Sequence, residues 1–150
     1  MRPVRNDPAD SMKQDSANLG SVTLTEGIRV AVAPAYLPDQ SIPESGRYVF
    51  GYRVRISNES ERTVRLLTRR WIIVDADGDR KEVEGDGVVG QQPELAPGES
   101  FVYSSYCPLE TPWGTMEGSY RFVDQEDRTL DVRIGRFILA SRVDQPTADS

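Results

Sequence analysis

The sequence predicts an all-β protein, an antiparallel sandwich of seven or eight strands, and three observations support this fold class. Apolar and polar residues alternate with a period of two along several runs of the chain, which is the pattern of half-buried strands. Clusters of turn-forming residues separate these runs at intervals of about 8–15 residues. No stretch of the sequence has the period of an amphipathic helix. This combination is typical of a sandwich of the immunoglobulin or fibronectin type III kind.

The clearest predicted strand extends from Tyr48 to Ile56. Aromatic and β-branched residues occupy one parity of this run, and arginines occupy much of the other. We therefore expect the first parity to be buried and the arginine parity to face solvent. An earlier strand is predicted from Val22 to Pro34, where apolar residues again recur at every second position. The other predicted strands are Val64–Val74, Arg80–Glu84, Phe101–Tyr106, Tyr120–Val123 and Leu130–Ile134.

Turn residues predict where several strands reverse or bend. The segment Asp75–Asp79 predicts a hairpin, since its Asp-Gly pair accepts the positive φ angles of a type I′ turn. The segment Ala96–Glu99, with Pro and Gly at its centre, predicts a type II turn. The apolar parity slips by one residue at Gly135, which indicates a β-bulge. Both parities of Trp71–Val74 are apolar, so we expect this half of its strand to be covered on both faces.

The same patterning divides the chain into one domain and two tails. Residues 1–21 and 141–150 lack a core-forming pattern, so we expect mobile tails on either side of a domain over residues 22–140. No apolar run reaches the roughly 18 residues of a membrane helix. The N-terminal segment contains no apolar stretch of the kind found in a secretory signal. We therefore expect a cytoplasmic protein without a membrane partner.

Composition argues against several classes of function. A net charge of −6 that is spread along the chain disfavours a nucleic-acid partner, because phosphate contacts require a basic surface. The chain contains no histidine, and its lysines are Lys13 and Lys81, so imidazole bases and most lysine chemistry are excluded. The single cysteine, Cys107, has no histidine to lower its pKa, and we interpret it as a small residue at a strand end. We expect no enzyme activity, no catalytic residue, no metal ligand set and no cofactor.

Two segments rich in glycine and proline, Val83–Pro93 and Glu110–Gly118, lie between predicted strands. We interpret them as two shaped loops on a rigid scaffold. We expect these loops to be neighbours at one end or edge of the sandwich, where they form a recognition surface for an unidentified protein partner. Trp113 supplies an amphipathic ring of the kind that contributes strongly at such surfaces. The predicted binding residues are Gly85, Gly87, Gly90, Gln92, Pro93, Glu110, Trp113 and Gly114.

The glycines of Gly85–Gly90 also have the letter pattern of a dinucleotide fingerprint. Pro93 and Pro97 follow at positions that forbid the helix on which that fingerprint depends, so a Rossmann site is excluded. A nest of backbone N–H groups could still bind pyrophosphate or another phosphate-containing ligand. The acidic residues between Asp75 and Asp86 make the local field unfavourable for an anion.

Charged residues elsewhere leave further alternatives. The acidic cluster Asp75, Asp77, Asp79 and Glu82 could bind a divalent cation weakly. Its glycine does not occupy the EF-hand position, and a solvated hairpin is the simpler interpretation. Arg69 and Arg70 could form an anion or carboxylate site, or their stems could pack on the sheet. Trp71 is expected in the core.

Several motifs occur in order between Val22 and Ala140 with natural spacing. They are Arg47–Tyr52, Arg70–Ile73, Val83–Pro93, Leu95–Glu99 and Glu110–Tyr120. Together these motifs resemble the ApaG (CorD) family. The resemblance implies a fibronectin type III-like sandwich and a bacterial protein linked to cobalt resistance and magnesium efflux. It also implies a domain that is reused in eukaryotic F-box and DNA polymerase delta-interacting proteins.

The family carries no settled biochemical activity, and this chain departs from it in its N-terminal tail and in lacking histidine. We therefore expect a non-enzymatic interaction module of the ApaG type. The alternative is nucleotide or pyrophosphate binding through Gly85–Gly90, together with a divalent metal.

Overall fold

The computed structural model describes residues 19–142, which form two antiparallel β-sheets packed face to face. In chain order the strands are β1 Ser21–Thr25, β2 Ile28–Tyr36, β3 Tyr48–Asn58, β4 Val64–Asp75, β5 Arg80–Asp86, β6 Glu94–Leu95, β7 Ser100–Leu109, β8 Trp113–Asp124 and β9 Thr129–Ala140. One sheet has the order β1-β2-β3-β7, and the other has the order β5-β4-β8-β9, with β6 paired to β4. The predicted all-β sandwich is confirmed, with nine strands in the described part of the chain when the two-residue β6 is included.

The predicted tails fall mostly on residues 1–18 and 143–150, which lie outside the described residues. Short 3₁₀ turns at Pro38–Gln40 and Pro43–Ser45 connect β2 to β3. Among residues 19–142, no helix is long and apolar enough to cross a membrane.

The core lies between the two sheets, and β3 shows how the sequence pattern builds it. Its apolar parity, which includes Phe50, Val54 and Ile56, is buried, whereas Arg53 and Arg55 on the other parity are exposed. The alternation predicted for this strand is therefore confirmed from Phe50 to Ile56, whereas Val49, on the arginine parity, is also buried. Each β3 residue on the inner parity removes a large apolar surface from water, which is the main force that holds the two sheets together.

The predicted strand from Val22 to Pro34 is wrong, because the chain reverses inside it. Glu26 and Gly27 have φ angles of 50° and 85°, which is the pattern of a two-residue type I′ hairpin turn. Gly27 is required for a second reason, since a Cβ atom there would lie 2.7 Å from Cβ of Ser60. The apolar parity continues across the turn, so periodicity alone did not reveal it, and Leu24 of β1 is 54% exposed.

The expectation that Trp71–Val74 is covered on both faces is also wrong. Trp71 is buried between the sheets, but Ile72 and Val74 on the outer face are only half-buried. Nothing in the described part of the chain forms a third layer over this face. The apolar residues of the outer face therefore reflect β-propensity and neighbour packing within the sheet.

The turn predictions hold, with one change of type. In the Asp75–Asp79 hairpin, the N–H of Asp75 donates to the carbonyl of Asp79 at 3.0 Å. Within this turn only Gly78 has a positive φ, of 86°, so the loop has three residues with a left-handed glycine and is not type I′. The predicted type II turn is present at Gly98, whose φ is 89°. The bulge at Gly135 is confirmed, because Met116 pairs with Phe137 and Gly118 pairs with Ile134.

The sandwich is closed along one edge and open along the other. At the closed edge, the Ser21 hydroxyl donates to the Gly135 carbonyl at 2.8 Å, and the Thr23 hydroxyl donates to the Arg133 carbonyl at 2.6 Å. These bonds join β1 to β9. At the opposite edge, β5 and β7 are the outermost strands of their sheets among the described residues. The gap between β5 and β7 is where the inner faces become accessible.

Candidate binding cleft

The open edge contains a cleft of about 1010 Å³ between β5 and β7. Its walls come from β5 and from the turn before β3, and its floor comes from the centres of β3 and β4 and from the inner face of β7. The volume is of the size that binds a ligand of several residues rather than a single ion. The floor carries the residues Tyr52, Arg69, Trp71, Tyr103, Ser105 and Cys107.

Arg69 is an arginine on the inward-facing parity of β4, directly opposite Tyr120 of β8. Its Nη1 donates to the carbonyl oxygens of Asp86 and Gly87, both at 2.9 Å. Its guanidinium crosses over Gly85, where a Cβ atom would lie 2.8 Å from Nη2. Gly85 is therefore the residue that leaves room for Arg69, and Arg69 in turn holds the end of β5.

Three buried tyrosines surround the inner end of Arg69. The Tyr103 hydroxyl is hydrogen-bonded to the Tyr120 hydroxyl. Tyr52 of β3 is paired with Ser105 of β7. Burial raises the pKa of all three tyrosines, while the positive charge of Arg69 acts to lower each pKa against that larger effect. The hydroxyls therefore stay protonated at neutral pH, and they can act as hydrogen-bond donors.

Cys107 lies inside β7, close to the predicted strand end, and is 5% exposed. Burial raises the pKa of its thiol from 9.0 to about 11, and the charge of Lys81 opposes this only in part. A thiol in this state is a poor nucleophile near neutral pH.

We expect iodoacetamide to alkylate Cys107 at pH 8 at least about a hundredfold more slowly in the native protein than in urea, because the thiolate fraction falls about tenfold per unit of raised pKa. The native rate should rise as the pH increases toward 11, since the raised pKa moves deprotonation to higher pH. Intact-mass spectrometry of timed samples measures both rates. Equal rates in the native and unfolded protein would contradict the burial of this thiol.

The two predicted loops have different outcomes. The prediction of a loop from Glu110 to Gly118 is wrong beyond Pro112, because Trp113 begins the long strand β8. Cβ atoms at Gly114 and Gly118 would lie 2.7 Å and 1.9 Å from carbonyl oxygens of β4. These glycines therefore allow β4 and β8 to approach closely.

The predicted loop Val83–Pro93 is wrong at its start, because residues 83–86 are the end of β5. The residues that follow β5 do form a shaped turn, and three of its backbone donors are used internally. The N–H of Gly87 donates to the Leu67 carbonyl at 2.8 Å, and Val88 and Gln91 exchange N–H to carbonyl bonds at 2.8 and 2.9 Å. Val88 is buried, whereas Val89 is half exposed and has a φ of 43°. A β-branched residue in this conformation is strained, so the turn is held by its surroundings.

The predicted binding residues are distributed over three places. Gly90 and Glu110 line the cleft, and Gly85 and Gly87 contact Arg69. Gln92 and Pro93 lie on the β4 side, where the Gln92 amide donates to the Leu67 carbonyl at 2.9 Å and the Pro93 carbonyl accepts from Leu66. Trp113 and Gly114 begin β8, and the Trp113 side chain is 49% exposed. A single surface formed by all eight stays a prediction.

The predicted site does not include the floor residues Tyr52, Tyr103 and Ser105, because they lie within predicted strands and the site was predicted in the two loops. Arg69 was noted as an anion candidate. The sequence does contain one indication that Arg69 belongs to a site. Arg69 and Trp71 are two residues apart in one strand, so the charge of Arg69 lies on the face that is buried at Trp71.

The acidic hairpin brings carboxylate oxygens of Asp75, Asp77 and Asp79 within 4.8 Å of one another. One oxygen of Asp75 accepts the N–H groups of Asp77 and Asp79 at 2.9 and 3.0 Å. This bonding stabilises the turn, and the cluster by itself does not indicate an ion.

Comparison with known proteins decides the family. The ApaG domain matches residues 38–124, which span β3 to β8 and contain both walls of the cleft. The chain belongs to the ApaG family. The predicted family resemblance is thereby confirmed.

ApaG relatives match most of the chain. The Protein ApaG of Anaeromyxobacter dehalogenans is 51% identical over 119 residues, which cover 79% of this chain and 94% of the relative. The Protein ApaG of Allorhizobium ampelinum is 54% identical over 116 residues, with 77% and 89% covered. A crystal structure of a Bordetella pertussis protein that bears the name ApaA is similar, with a TM-score of 0.74 and 47% identity over 80% of this chain and 97% of that one. The ApaG sandwich described above is therefore shared with solved members.

Proposed function

We propose that this ApaG chain is a binding module that holds a partner in the cleft between β5 and β7 and catalyses no reaction. The observation that carries the proposal is the open edge, where aromatic, hydroxyl and charged side chains of the inner faces are accessible in one place. Clefts that combine apolar walls with a few polar groups are the usual form of a binding site. The rigid sandwich holds these groups in position without a large conformational change.

The chemistry of the cleft supports binding over catalysis. The chain has no histidine, so neither Ser105 nor Cys107 has an imidazole base that could activate it. The raised pKa of the Cys107 thiol keeps it protonated. We infer that the role implied by the family resemblance, in cobalt resistance and magnesium efflux, is carried out through a protein partner rather than through a metal held by this chain.

Nucleotide or pyrophosphate binding through Gly85–Gly90 stays an alternative with weaker support. The backbone donors of Gly87, Val88 and Gln91 are already engaged within the protein, and a phosphate nest requires such donors to be available. Thermal-shift measurements with nucleotides and divalent cations test this alternative, because a ligand at 100 times its Kd should stabilise the fold by about 2.7 kcal/mol.

The proposal predicts that filling the cleft abolishes partner capture. Ser105→Trp places a large ring on the cleft side of β7, while the control Ser104→Trp places the same ring on the exposed outer face of that strand. After both variants are checked by their melting transitions, immobilised protein captures partners that are quantified by mass spectrometry. Partners captured by the wild type should be retained by the Ser104 variant and depleted about tenfold or more by the Ser105 variant.

Equal capture by both variants would overturn the cleft as the binding site. Trp113→Ala in the same experiment tests the predicted surface around Trp113. Loss of capture only in that variant would place the function at the start of β8.

A further inference from the structure

We propose that the cleft recognises its partner through a carboxylate, and that Arg69 and Tyr103 receive this group at the floor. The inference rests on the proposed function and specifies the chemistry of the ligand. The ligand is an extended peptide segment that presents either its C-terminal carboxylate or the carboxylate of an Asp or Glu side chain.

Arg69 has donors that are still available. Its Nη1 is used by the carbonyls of Asp86 and Gly87, whereas Nε and Nη2 have no hydrogen-bond acceptor within residues 19–142. Among the described residues, no carboxylate forms an ion pair with the Arg69 guanidinium within 4.0 Å. A guanidinium fixed by one nitrogen presents the remaining donors in a rigid plane, which suits a carboxylate.

The tyrosine hydroxyls add a donor that lacks a partner. Tyr103 is 7% exposed and lines the cleft, and its hydroxyl is bonded to that of the fully buried Tyr120. In such a pair one O–H donates to the oxygen of the other hydroxyl, so the second O–H has no acceptor among the described residues. A carboxylate in the cleft would be satisfied if Tyr120 donates to Tyr103 and Tyr103 donates to the ligand. Buried donors without acceptors are rare, and this one points to a ligand.

The charges of the cleft favour a single carboxylate over a phosphate chain. The lining contains four basic residues, Arg47, Arg69, Arg80 and Lys81, and four acidic residues, Asp75, Asp79, Asp86 and Glu110. Balanced charges repel a polyanion less than an acidic surface would, but they provide no strong attraction for one. A ligand with one negative charge can bind Arg69 at the floor, while the rest of the ligand lies along the part of the lining that contains both acidic and basic residues.

The edge strands favour a peptide. Within the described residues, β7 pairs only with β3, and β5 pairs only with β4. Each strand therefore has one edge without a strand partner, at the open side of the sandwich. An extended peptide can add to such an edge by backbone hydrogen bonds, while one anchoring group sets its register.

The test is an array of random heptapeptides that are attached through their N-termini. The first set has free C-terminal carboxylates, and the second set has C-terminal amides. The third set has C-terminal amides and also contains no Asp or Glu. We expect the wild-type protein to bind peptides that carry a carboxylate. If binding is lost when the C-terminus is amidated, the C-terminus supplies the carboxylate. If binding survives amidation but is lost in the set without Asp and Glu, a side chain supplies the carboxylate. Either result supports the proposal.

Fluorescence polarisation with the best-bound peptide then measures the variants. Arg69→Gln should raise Kd about tenfold or more, since a charge-assisted bond is lost. Tyr103→Phe removes the hydroxyl but keeps the ring, and it should raise Kd about threefold or more. This variant still tests the proposal if the Arg69 variant fails to fold. Arg53→Gln, on the exposed face of β3, is the matched control and should leave Kd unchanged.

Two results would overturn the inference. One is tight binding of peptides that contain no carboxylate, and the other is unchanged affinity in both Arg69→Gln and Tyr103→Phe. If neutral peptides bind and Ser105→Trp abolishes that binding, the cleft keeps its proposed function and only the carboxylate inference fails. If the captured partners are insensitive to Ser105→Trp, the proposed function itself fails.

Discussion

Replacing Trp71 by alanine is expected to lower the free energy of unfolding by about 3–5 kcal/mol, which is the usual cost of removing a large buried aromatic side chain. Trp71 is 3% exposed. Its ring lies edge-on to Tyr52 and Phe137, with centroid distances of 5.4 and 5.8 Å, and to Tyr120 at 6.4 Å. The substitution therefore leaves a cavity where both sheets meet, and rigid neighbours from three other strands limit how far it can collapse.

The other tryptophan is the matched control. Trp113 is 49% exposed at the start of β8, so Trp113→Ala should cost about 1 kcal/mol or less. Urea unfolding followed by far-ultraviolet circular dichroism gives both free energies in the same buffer. A cost for Trp71→Ala no larger than that for Trp113→Ala would mean that Trp71 is not the centre of the inter-sheet core.

The difference between the tryptophans also shows what the sequence can predict. Trp71 lies in a strand run that is apolar on both parities, so the sequence predicted its burial but not which face of the strand is the inner one. The long strand around Tyr52 was predicted from its period-two alternation. These predictions succeed because one buried face imposes the same period on every strand of a sandwich.

Two of the failures have a common physical origin in glycine. Gly27 was interpreted as an ordinary position in a strand, but it completes a tight turn with Glu26, a residue that rarely signals a left-handed conformation. Gly114 and Gly118 were interpreted as loop residues, but they leave space for the backbone of β4. A glycine in a sequence can mean a positive φ angle or a close approach, and only the tertiary structure distinguishes them.

The candidate site was predictable only in part, because a cleft depends on which strands are edges. Gly85 and Gly90 were recognised from their local spacing. Arg69 and Tyr103 lie close together only because β3 pairs with β7 and β4 pairs with β8. Both pairings join segments that are distant in the chain. No local pattern encodes that pairing, so the floor of the cleft became visible only in the folded structure.

Gly87→Ala is expected to destabilise the protein by about 3 kcal/mol or more, because two effects act together at this residue. Its φ of 63° lies in the left-handed region, where a side chain costs about 1–2 kcal/mol. A Cβ atom would also lie 2.2 Å from the Gln91 carbonyl oxygen and 3.0 Å from its carbon. Relieving that contact requires the backbone to move, which breaks the paired bonds between Val88 and Gln91 at about 1 kcal/mol each.

Gly90→Ala provides the control, because it separates the backbone conformation from the steric contact. Gly90 has a φ of 80° in the same turn, but a Cβ atom there would meet nothing within 4 Å. This variant should therefore cost about 1–2 kcal/mol, from the conformation alone. Urea titrations of both variants measure the difference, which we expect to be about 2 kcal/mol. Equal losses would show that the turn after β5 can shift without cost, and that its shape is not fixed by the packing of Gly87 against Gln91.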